Sequence, residues 1–307
     1  YLGFGHDEEV SGTGAQAIVE LLASRGVRLE FALDEGQAVV QGMLPGVTRP
    51  VALIGLAEKG YVSVEVAVAA AGGHSSMPPR HTAAGRLAQA LVRIEKNQLP
   101  AHVAGAPRLM FEHVASEMPL PLRLVLTNLW LLEPVLAWGL SQGPTTNAVV
   151  RTTTAITMLE GSPKDNVLPQ RARAVVNFRI LPGESVGSVT AHVRRVVADP
   201  EVEVNAITLG AREPSPTSSP DAPSFGRIAN SIHAMFPDAA VAPSLMLGAS
   251  DGRWYVKVTD SVYRFLPVLL QPEDLARLHG TNERIGIADF ARAVGFYEHL
   301  IRGGDQP

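Results

Sequence analysis

The stretch Tyr1-Leu-Gly-Phe-Gly-His-Asp-Glu-Glu-Val-Ser-Gly12 decides how the rest of the chain is interpreted. Its apolar start, Tyr1 to Phe4, predicts the end of a buried strand, and the periodicity of residues 14–24 predicts an amphipathic helix. Between them lie four titratable side chains, His6, Asp7, Glu8 and Glu9. Because ligands bind at the carboxyl ends of strands in open α/β sheets, this turn is a candidate site.

Two interpretations of the acidic turn remain open on this stretch alone. Adjacent carboxylates repel each other unless a cation or a proton lies between them. Since neighbouring side chains on extended backbone point in opposite directions, Glu8 could face a substrate water while Glu9 holds a metal. The same residues also suit an acidic turn that caps the N-terminus of the following helix.

The composition is that of an ordinary globular chain. It has 307 residues, a net charge of −4, 46% hydrophobic residues and 18% charged residues, which allows two domains and gives no reason to expect nucleic acid or an anionic membrane. It has no cysteine, so any metal must be held by His, Asp or Glu. The apolar stretch 120–140 is interrupted by prolines and charges, which predicts a packed or partner-facing helix pair and no membrane span.

The order of the elements predicts an α/β protein with a second domain inserted. Strands at 29–33 and 51–56, each followed by acidic residues and glycine, belong to the α/β part. Residues 61–212 read β, α, helical insert, β, β, α, β, with 97–121 as loop, which fits a ferredoxin-like α+β unit. We therefore expect an α/β domain made of 1–60 and 213–307, and an inserted domain at 61–212 with its helical insert around 120–140.

Three residues are candidate metal ligands on residue type and position. Glu9, Asp34 and His279 each lie in a loop beside the end of a strand or helix of the α/β part. Two carboxylates and an imidazole suit zinc or a similar divalent ion in a hydrolase. Taken singly each is a weak signal, since His279 could equally cap a helix.

The motifs together resemble a known family. They are Gly5-His-Asp-Glu-Glu-Val-Ser-Gly12, Leu33-Asp-Glu-Gly36, Ala57-Glu-Lys-Gly60, Gly73-His-Ser-Ser76, Asn166-Val-Leu-Pro169, Gly248-Ala-Ser-Asp251 and His279-Gly-Thr-Asn-Glu283. In this order and spacing the chain is similar to the dizinc aminoacylase/carboxypeptidase family, in the branch of carboxypeptidase S and the N-fatty-acyl amino-acid hydrolases. The resemblance implies a zinc-binding α/β domain, an inserted ferredoxin-like lid, and a homodimer formed through that lid.

The resemblance also implies an activity and its catalytic residues. The expected reaction is metal-dependent hydrolysis of the amide bond of N-acyl amino acids or short peptides with a free carboxylate. Glu8 would be the general base, Glu9 and His279 would bind one zinc, and Asp34 would bind the other, with Glu35 a less favoured ligand. Two zinc ions can acidify a water and polarise a carbonyl, which fits amide hydrolysis near neutral pH.

The remaining expected roles concern the oxyanion and the substrate. His74 would reach the partner subunit's site and help to hold the developing oxyanion, Asn166 and Arg179 would recognise the substrate carboxylate, and Gly248 and Asp251 would line the site. Without the resemblance, His74 is more simply an exposed loop histidine, Arg179 a surface ion-pair residue and Asn166 a turn residue.

One departure from the family pattern shapes the alternatives. The first metal motif, His-x-Asp, and the aspartate that bridges the two zincs fall before Tyr1, so we expect the chain to be N-terminally truncated and inactive alone. A non-catalytic dimerising or binding module is therefore a rival hypothesis, and an enzyme that runs as a synthase in cells is a third. Localisation stays open, with the cytoplasm favoured.

Overall fold

The chain forms two compact units. The computed structural model describes residues 1–10 and 12–303. The first unit contains Tyr1–Glu58, Val103–Leu136 and Ser215–Pro307, and the second contains Lys59–His102 and Ala137–Pro214. Residues 103–136 pack within the first unit. The sequence had placed the helical insert around 120–140 in the inserted ferredoxin-like domain.

The described residues contain the following elements. The helices are α1 (Gly14–Ser24), α2 (Ala83–Lys96), α3 (Gly105–Val114), α4 (Leu120–Thr127), α5 (Leu129–Leu140), α6 (Pro144–Val150), α7 (Val186–Val197), α8 (Pro223–Met235), α9 (Gly252–Tyr255) and α10 (Ile287–Gly303). The strands are β1 (Ala32–Val40), β2 (Val51–Glu58), β3 (Gly60–Ala69), β4 (Gly73–His74), β5 (Thr153–Glu160), β6 (Val167–Leu168), β7 (Arg171–Ile180), β8 (Glu203–Arg212), β9 (Ala240–Met246) and β10 (Val262–Leu270).

The first unit is built on a mixed sheet with strand order β1-β10-β2-β9. Strand β1 is parallel to β10 and β2 is parallel to β9, while β2 runs antiparallel to β1 and β10. Helix α3 packs against β9, and α10 packs against α8 and β10. The rings of Phe265 in β10 and Phe296 in α10 lie 5.4 Å apart, which joins the helix layer to the sheet.

The second unit is an antiparallel sheet with strand order β5-β7-β3-β8, and α2 and α7 pack on it. The alternating valines of β3 are fully buried against these helices, whereas Ser63 and Glu65 between them are not. This order of a βαββαβ chain is the ferredoxin-like arrangement, so the expected fold is confirmed. A separate two-stranded ribbon pairs β4 with β6, with His74 opposite Val167.

Three local expectations were wrong. Tyr1 to Phe4 are exposed and form no strand, because in the described chain no strand lies beside them to accept their backbone hydrogen bonds. The stretch 97–121 contains helix α3, whose apolar face is buried on β9. Strand β1 begins at Ala32 and includes Asp34 and Glu35, and its pairing with β10 is irregular between Asp34 and Ala38.

Helix α4 and residues 129–136 of α5 form an apolar helical segment in the first unit. Trp130 is 79% exposed and Leu131 is 60% exposed, so this surface has no cover within the described residues. Across residues 1–10 and 12–303, no single helix is long and apolar enough to cross a membrane. The pair α4 and α5, bent by 120°, meets that criterion by length and composition only.

A buried ion pair links the strands of the first unit. The side chains of Arg264 in β10 and Glu58 at the end of β2 are 0% and 3% exposed, and Nη2 of Arg264 donates to Oε1 of Glu58 over 3.0 Å. Arg264 also donates through Nη1 to the carbonyl of Val262 at 2.9 Å. Because both charges are removed from water, each depends on the other for compensation.

Glu58→Gln should therefore destabilise the protein by about 3–5 kcal/mol, since it leaves the Arg264 guanidinium buried without its counter-charge. The measurement is the free energy of unfolding in urea. Glu298→Gln is the matched control, because Glu298 pairs with Arg302 on the exposed face of α10 and should cost less than about 1 kcal/mol. Equal losses for the two variants would contradict this account of the pair.

The second unit has a buried cation of its own. Lys59 is 2% exposed, and its Nζ donates to the carbonyls of Ala148 at 2.9 Å and Arg151 at 2.7 Å. Burial lowers the pKa of Lys59 to about 8, with Glu184 acting to raise it and Arg179 acting to lower it. The folded chain therefore releases this proton at a lower pH than the unfolded chain does.

Because the unfolded chain keeps the proton of Lys59 between about pH 8 and pH 10.5, the free energy of unfolding contributed by this residue should rise with pH across that window. A Lys59→Met variant should lack the rise. From pH 8 to pH 9.5 the stability difference between wild type and variant should move by about 1–2 kcal/mol in favour of wild type. Urea unfolding of both proteins at the two pH values tests this, and a pH-independent difference would refute it.

Candidate active site

In the acidic turn, Asp7 makes different contacts from Glu8 and Glu9. The carboxylate of Asp7 accepts hydrogen bonds from the backbone N–H groups of Thr13 at 2.9 Å and Gly14 at 3.1 Å, and so caps the start of α1. Glu8 and Glu9 lie in a 3₁₀ turn, Glu8–Val10, outside that capping contact. The capping interpretation therefore accounts for Asp7 and leaves Glu8 and Glu9 for other roles.

Glu9 and His279, which are far apart in sequence, come together in the first unit. Oε2 of Glu9 lies 3.8 Å from Nδ1 of His279, and both side chains are 75% exposed. His279 has a φ of 54°, in the left-handed region, and its N–H donates to Oε1 of Glu283 over 3.1 Å. A non-glycine residue held there costs about 1–3 kcal/mol, and such residues cluster at functional sites.

Asp34 is tied to the loop that precedes α9. Its Oδ1 accepts the N–H of Glu35 at 2.9 Å, and its Oδ2 accepts the N–H of Gly252. The preceding residue, Asp251, has a buried Oδ1 without a hydrogen-bond partner in the part of the chain that the structure describes. Gly248, also expected to line the site, is exposed in the turn after β9.

The buried pair described above also holds this loop in place. While Oε1 of Glu58 binds Arg264, its Oε2 accepts the backbone N–H of Ser250 over 2.6 Å. Sequence reasoning placed Glu58 in a family motif but gave it no role. The available signal was an ionisable residue at the end of an otherwise apolar strand.

The pKa values of three acids in this cluster, Glu8, Asp251 and Glu35, are raised. Burial is the largest cause for Glu8, followed by the charges of Asp251, Glu9 and Asp34. Burial and the charge of Asp34 also raise the pKa of Asp251. For Glu35 the pKa rises to about 7, because of burial and then the charges of Asp34, Glu8 and Glu9. Arg253 lowers the pKa of Glu8 and Asp251, yet the net direction at both is upward, and a bound cation would act in the same direction as Arg253.

The donor set fits a divalent ion in part. Carboxylate and imidazole groups are zinc ligands, Glu9 and His279 already face each other, and Oδ1 of Asp251 lacks a partner among the described residues. Within residues 1–10 and 12–303, however, no group of three His, Asp or Glu side chains converges as a metal shell would. Among the described residues, Glu9 and His279 are thus in contact without a third candidate ligand beside them.

In the second unit the ribbon β4–β6 brings His74 and Asn166 together. The N–H of Ser75 donates to the carbonyl of Asn166 over 3.1 Å, beside the pairing of His74 with Val167. A cavity of about 460 Å³ opens here, and His74, Leu168 and Arg171 are among its lining residues. The expected oxyanion and carboxylate residues of this ribbon are therefore neighbours.

Arg179 lies elsewhere in the second unit. Its guanidinium is 5.0 Å from the ring centre of Tyr61, and that of Arg212 is 5.3 Å from the same ring. Within the described residues no hydrogen bond joins Arg179 to His74 or Asn166. The sequence did not indicate that Tyr61 and Arg212 lie beside Arg179. This proximity arises because β3 pairs with β7 on one side and with β8 on the other.

Comparison with known proteins places the chain in a family. Residues 56–211 match the family model of the peptidase dimerisation domain. The chain is 44% identical to the N-fatty-acyl-amino acid synthase/hydrolase PM20D1 of Xenopus tropicalis, covering 99% of this chain and 60% of that protein. It is 40% identical to the probable carboxypeptidase S-like 2 of Dictyostelium discoideum, covering all of this chain and 59% of that protein. The chain thus spans about three fifths of these relatives.

A solved structure agrees at the level of the fold. The M20 family metallo-carboxypeptidase Sso-CP2 from Sulfolobus solfataricus superposes with a TM-score of 0.63 at 16% identity, over 96% of this chain and 68% of that one. This structural similarity and the dimerisation-domain match, which covers half of the chain, both confirm the expected α/β fold with an inserted ferredoxin-like domain. The chain belongs to the M20 peptidase family.

Proposed function

We propose that this chain forms part of a metal-dependent hydrolase that cleaves the amide bond of N-acyl amino acids or of short peptides with a free C-terminal carboxylate. The observation that carries the proposal is the approach of Glu9 to His279 beside the crowded carboxylates of Glu8, Asp34 and Asp251. The relatives are named as an N-fatty-acyl-amino acid synthase/hydrolase and a carboxypeptidase, which supports substrates that carry an amino-acid carboxylate.

Glu9 and His279 would hold one zinc ion, and Asp34 would hold the second, with Glu35 a less favoured ligand. When bound, the ions would acidify an attacking water and polarise the scissile carbonyl. Other residues of the whole protein would complete the coordination, because the described chain brings together only part of a shell. Asp34 is already oriented by the N–H groups of Glu35 and Gly252, so one ligand is preorganised.

Glu8 would be the general base. It would take a proton from the attacking water as the oxygen bonds to the carbonyl carbon, and return it to the amide nitrogen as the C–N bond breaks. In the described chain the pKa of Glu8 is raised, first by burial and then by neighbouring carboxylates, and a raised pKa is the direction that suits a general base. Its position one residue before a metal ligand would keep it beside the water.

The second unit would supply recognition and oxyanion stabilisation. The dimerisation-domain match supports a homodimer, in which His74 would act at the partner subunit's site as a donor to the developing oxyanion. Asn166 and Arg179 would bind the substrate carboxylate, and arginine's planar fork suits that group. Gly248 and Asp251 would line the site in the first unit.

A non-catalytic dimerising module is the weaker alternative. Mutually repelling carboxylates destabilise a protein unless a cation or a proton compensates them, so a pure binding module has no use for this cluster. The direction of the reaction would follow the concentrations of acid, amine and amide, since amide hydrolysis is reversible. The Xenopus relative is named as both a synthase and a hydrolase.

Glu8→Gln should lower the rate of amino-acid release from N-acyl amino acids by at least about 100-fold, because general base catalysis contributes on that scale. The variant keeps the shape of the side chain and spares Glu9, so bound zinc should stay near the wild-type content. The measurements are amino-acid release and metal analysis on the protein purified from its complete reading frame.

Glu95→Gln, on the exposed face of α2, is the matched control and should retain full activity and zinc. Activity of Glu8→Gln near the wild-type level would remove Glu8 from the mechanism. A metal-free, inactive wild-type protein that still dimerises would contradict the hydrolase and support the binding module.

A further inference from the structure

The imidazole of His74 is held by a single neighbouring residue. The backbone N–H of Ser76 donates to Nδ1 of His74 over 3.2 Å, and Oγ of Ser76 lies 2.8 Å from the same nitrogen. Both contacts close on Nδ1, and no hydrogen bond to Nε2 of His74 occurs within the described residues. The side chain is exposed, so Nε2 is free to meet another molecule.

These contacts select one tautomer of the neutral ring. A backbone N–H can only donate, so Nδ1 must be the acceptor and its proton must be absent. The remaining ring proton then lies on Nε2, since the hydrogen bond made by one nitrogen decides which nitrogen carries the proton. The Ser76 hydroxyl makes the shorter contact, and when it donates to Nδ1 it adds to this preference, so the backbone contact alone should hold the tautomer less firmly.

We propose that Ser76 is a positioning residue that fixes His74 as the Nε2–H tautomer and directs this N–H outward, toward the developing negative oxygen of the substrate. The inference rests on the proposed function, in which His74 donates to that oxygen. A ring with its proton on Nδ1 would present a lone pair there and repel the oxygen. A donor oriented before the reaction avoids the cost of reorganising during it.

The hydroxyl of Ser76 takes no part in the contacts that hold the loop after β4 to the ribbon. The loop is anchored by backbone contacts, Met77 N–H to the His74 carbonyl at 3.2 Å and Ser75 N–H to the Asn166 carbonyl at 3.1 Å. Neither contact uses the Oγ of Ser76. Removing that hydroxyl should therefore change the ring of His74 and leave the ribbon in place.

The direct test is ¹⁵N–¹H correlation NMR of the histidine rings, at a pH where His74 is neutral, with His74→Gln to assign its signals. Wild type should show the Nε2–H tautomer almost alone. Ser76→Ala keeps the backbone contact at 3.2 Å and loses the shorter hydroxyl contact at 2.8 Å, so its share of the Nδ1–H form should be measurably larger. Ser76→Thr should restore the wild-type pattern. Ser75→Ala, one residue away, should match wild type because its contact uses only the backbone.

Kinetics on the zinc-loaded protein from its complete reading frame separates positioning from structure. Ser76→Ala should lower kcat by about 10-fold or more, approaching the loss of a single oxyanion donor, with KM nearly unchanged. Ser76→Thr should recover kcat. A wild-type ring protonated mainly on Nδ1, or a tautomer ratio unmoved in Ser76→Ala, would overturn the proposal.

The two proposals fail in different ways. If the wild-type protein releases no amino acid from any N-acyl substrate, the proposed function fails, whatever the tautomer. If the protein is active and the tautomer shifts in Ser76→Ala while kcat does not change, the positioning role fails and the hydrolase stands.

Discussion

The candidate site of the first unit depends on two contacts made by the buried carboxylate of Glu58. One of its oxygens neutralises Arg264 inside the sheet, and the other accepts the N–H of Ser250 at 2.6 Å. From Ser250 the chain passes to Asp251 and then to Gly252, whose N–H binds Asp34. A charge pair in the core therefore sets the position of a loop at the surface, and through it the orientation of a proposed zinc ligand. Because a buried ion pair is costly to desolvate, its presence says more about the positioning of this loop than about a net gain in stability.

A second constraint follows from the crowding of acids around that loop. Burial and the charge of Asp34 raise the pKa of Glu8, Glu35 and Asp251, and the charge of His279 acts against this effect at Glu35. The fold brings these groups together at a cost in free energy, which a bound divalent ion would repay. In the second unit the chemistry is complementary: Ser76 leaves His74 with a single outward N–H, the form that an oxyanion requires. In the proposed reaction Glu8 of the first unit would be the base, and His74 of the second unit would be the donor at the partner subunit's site.

Much of the fold was predictable because it depends on local periodicity. The helix at 14–24 has the expected limits, and the alternation of Val62, Val64 and Val66 identified a strand with one buried face. The strand expected at Tyr1–Phe4 does not form, because a strand requires a neighbour that a local pattern cannot supply. Helix α3 is short and contains Gly105 and Pro107, which favoured a loop, whereas its apolar face is buried on β9. The motifs contain Glu9 and His279, which the structure brings to 3.8 Å, and their assignment as ligands stays a prediction. The motifs did not indicate the contacts of Glu58 with Ser250 or of Ser76 with His74, because those depend on the folded geometry.

The central claim is that Glu9 and His279 are ligands of one metal ion beside the base Glu8. The most direct measurement is anomalous diffraction at the zinc edge from crystals of the protein expressed from its complete reading frame. We expect a zinc peak about 2.0–2.2 Å from both Glu9 and His279, with a second peak bound by Asp34. A well-ordered site without anomalous density between Glu9 and His279, in crystals of protein that hydrolyses N-acyl amino acids, would contradict it.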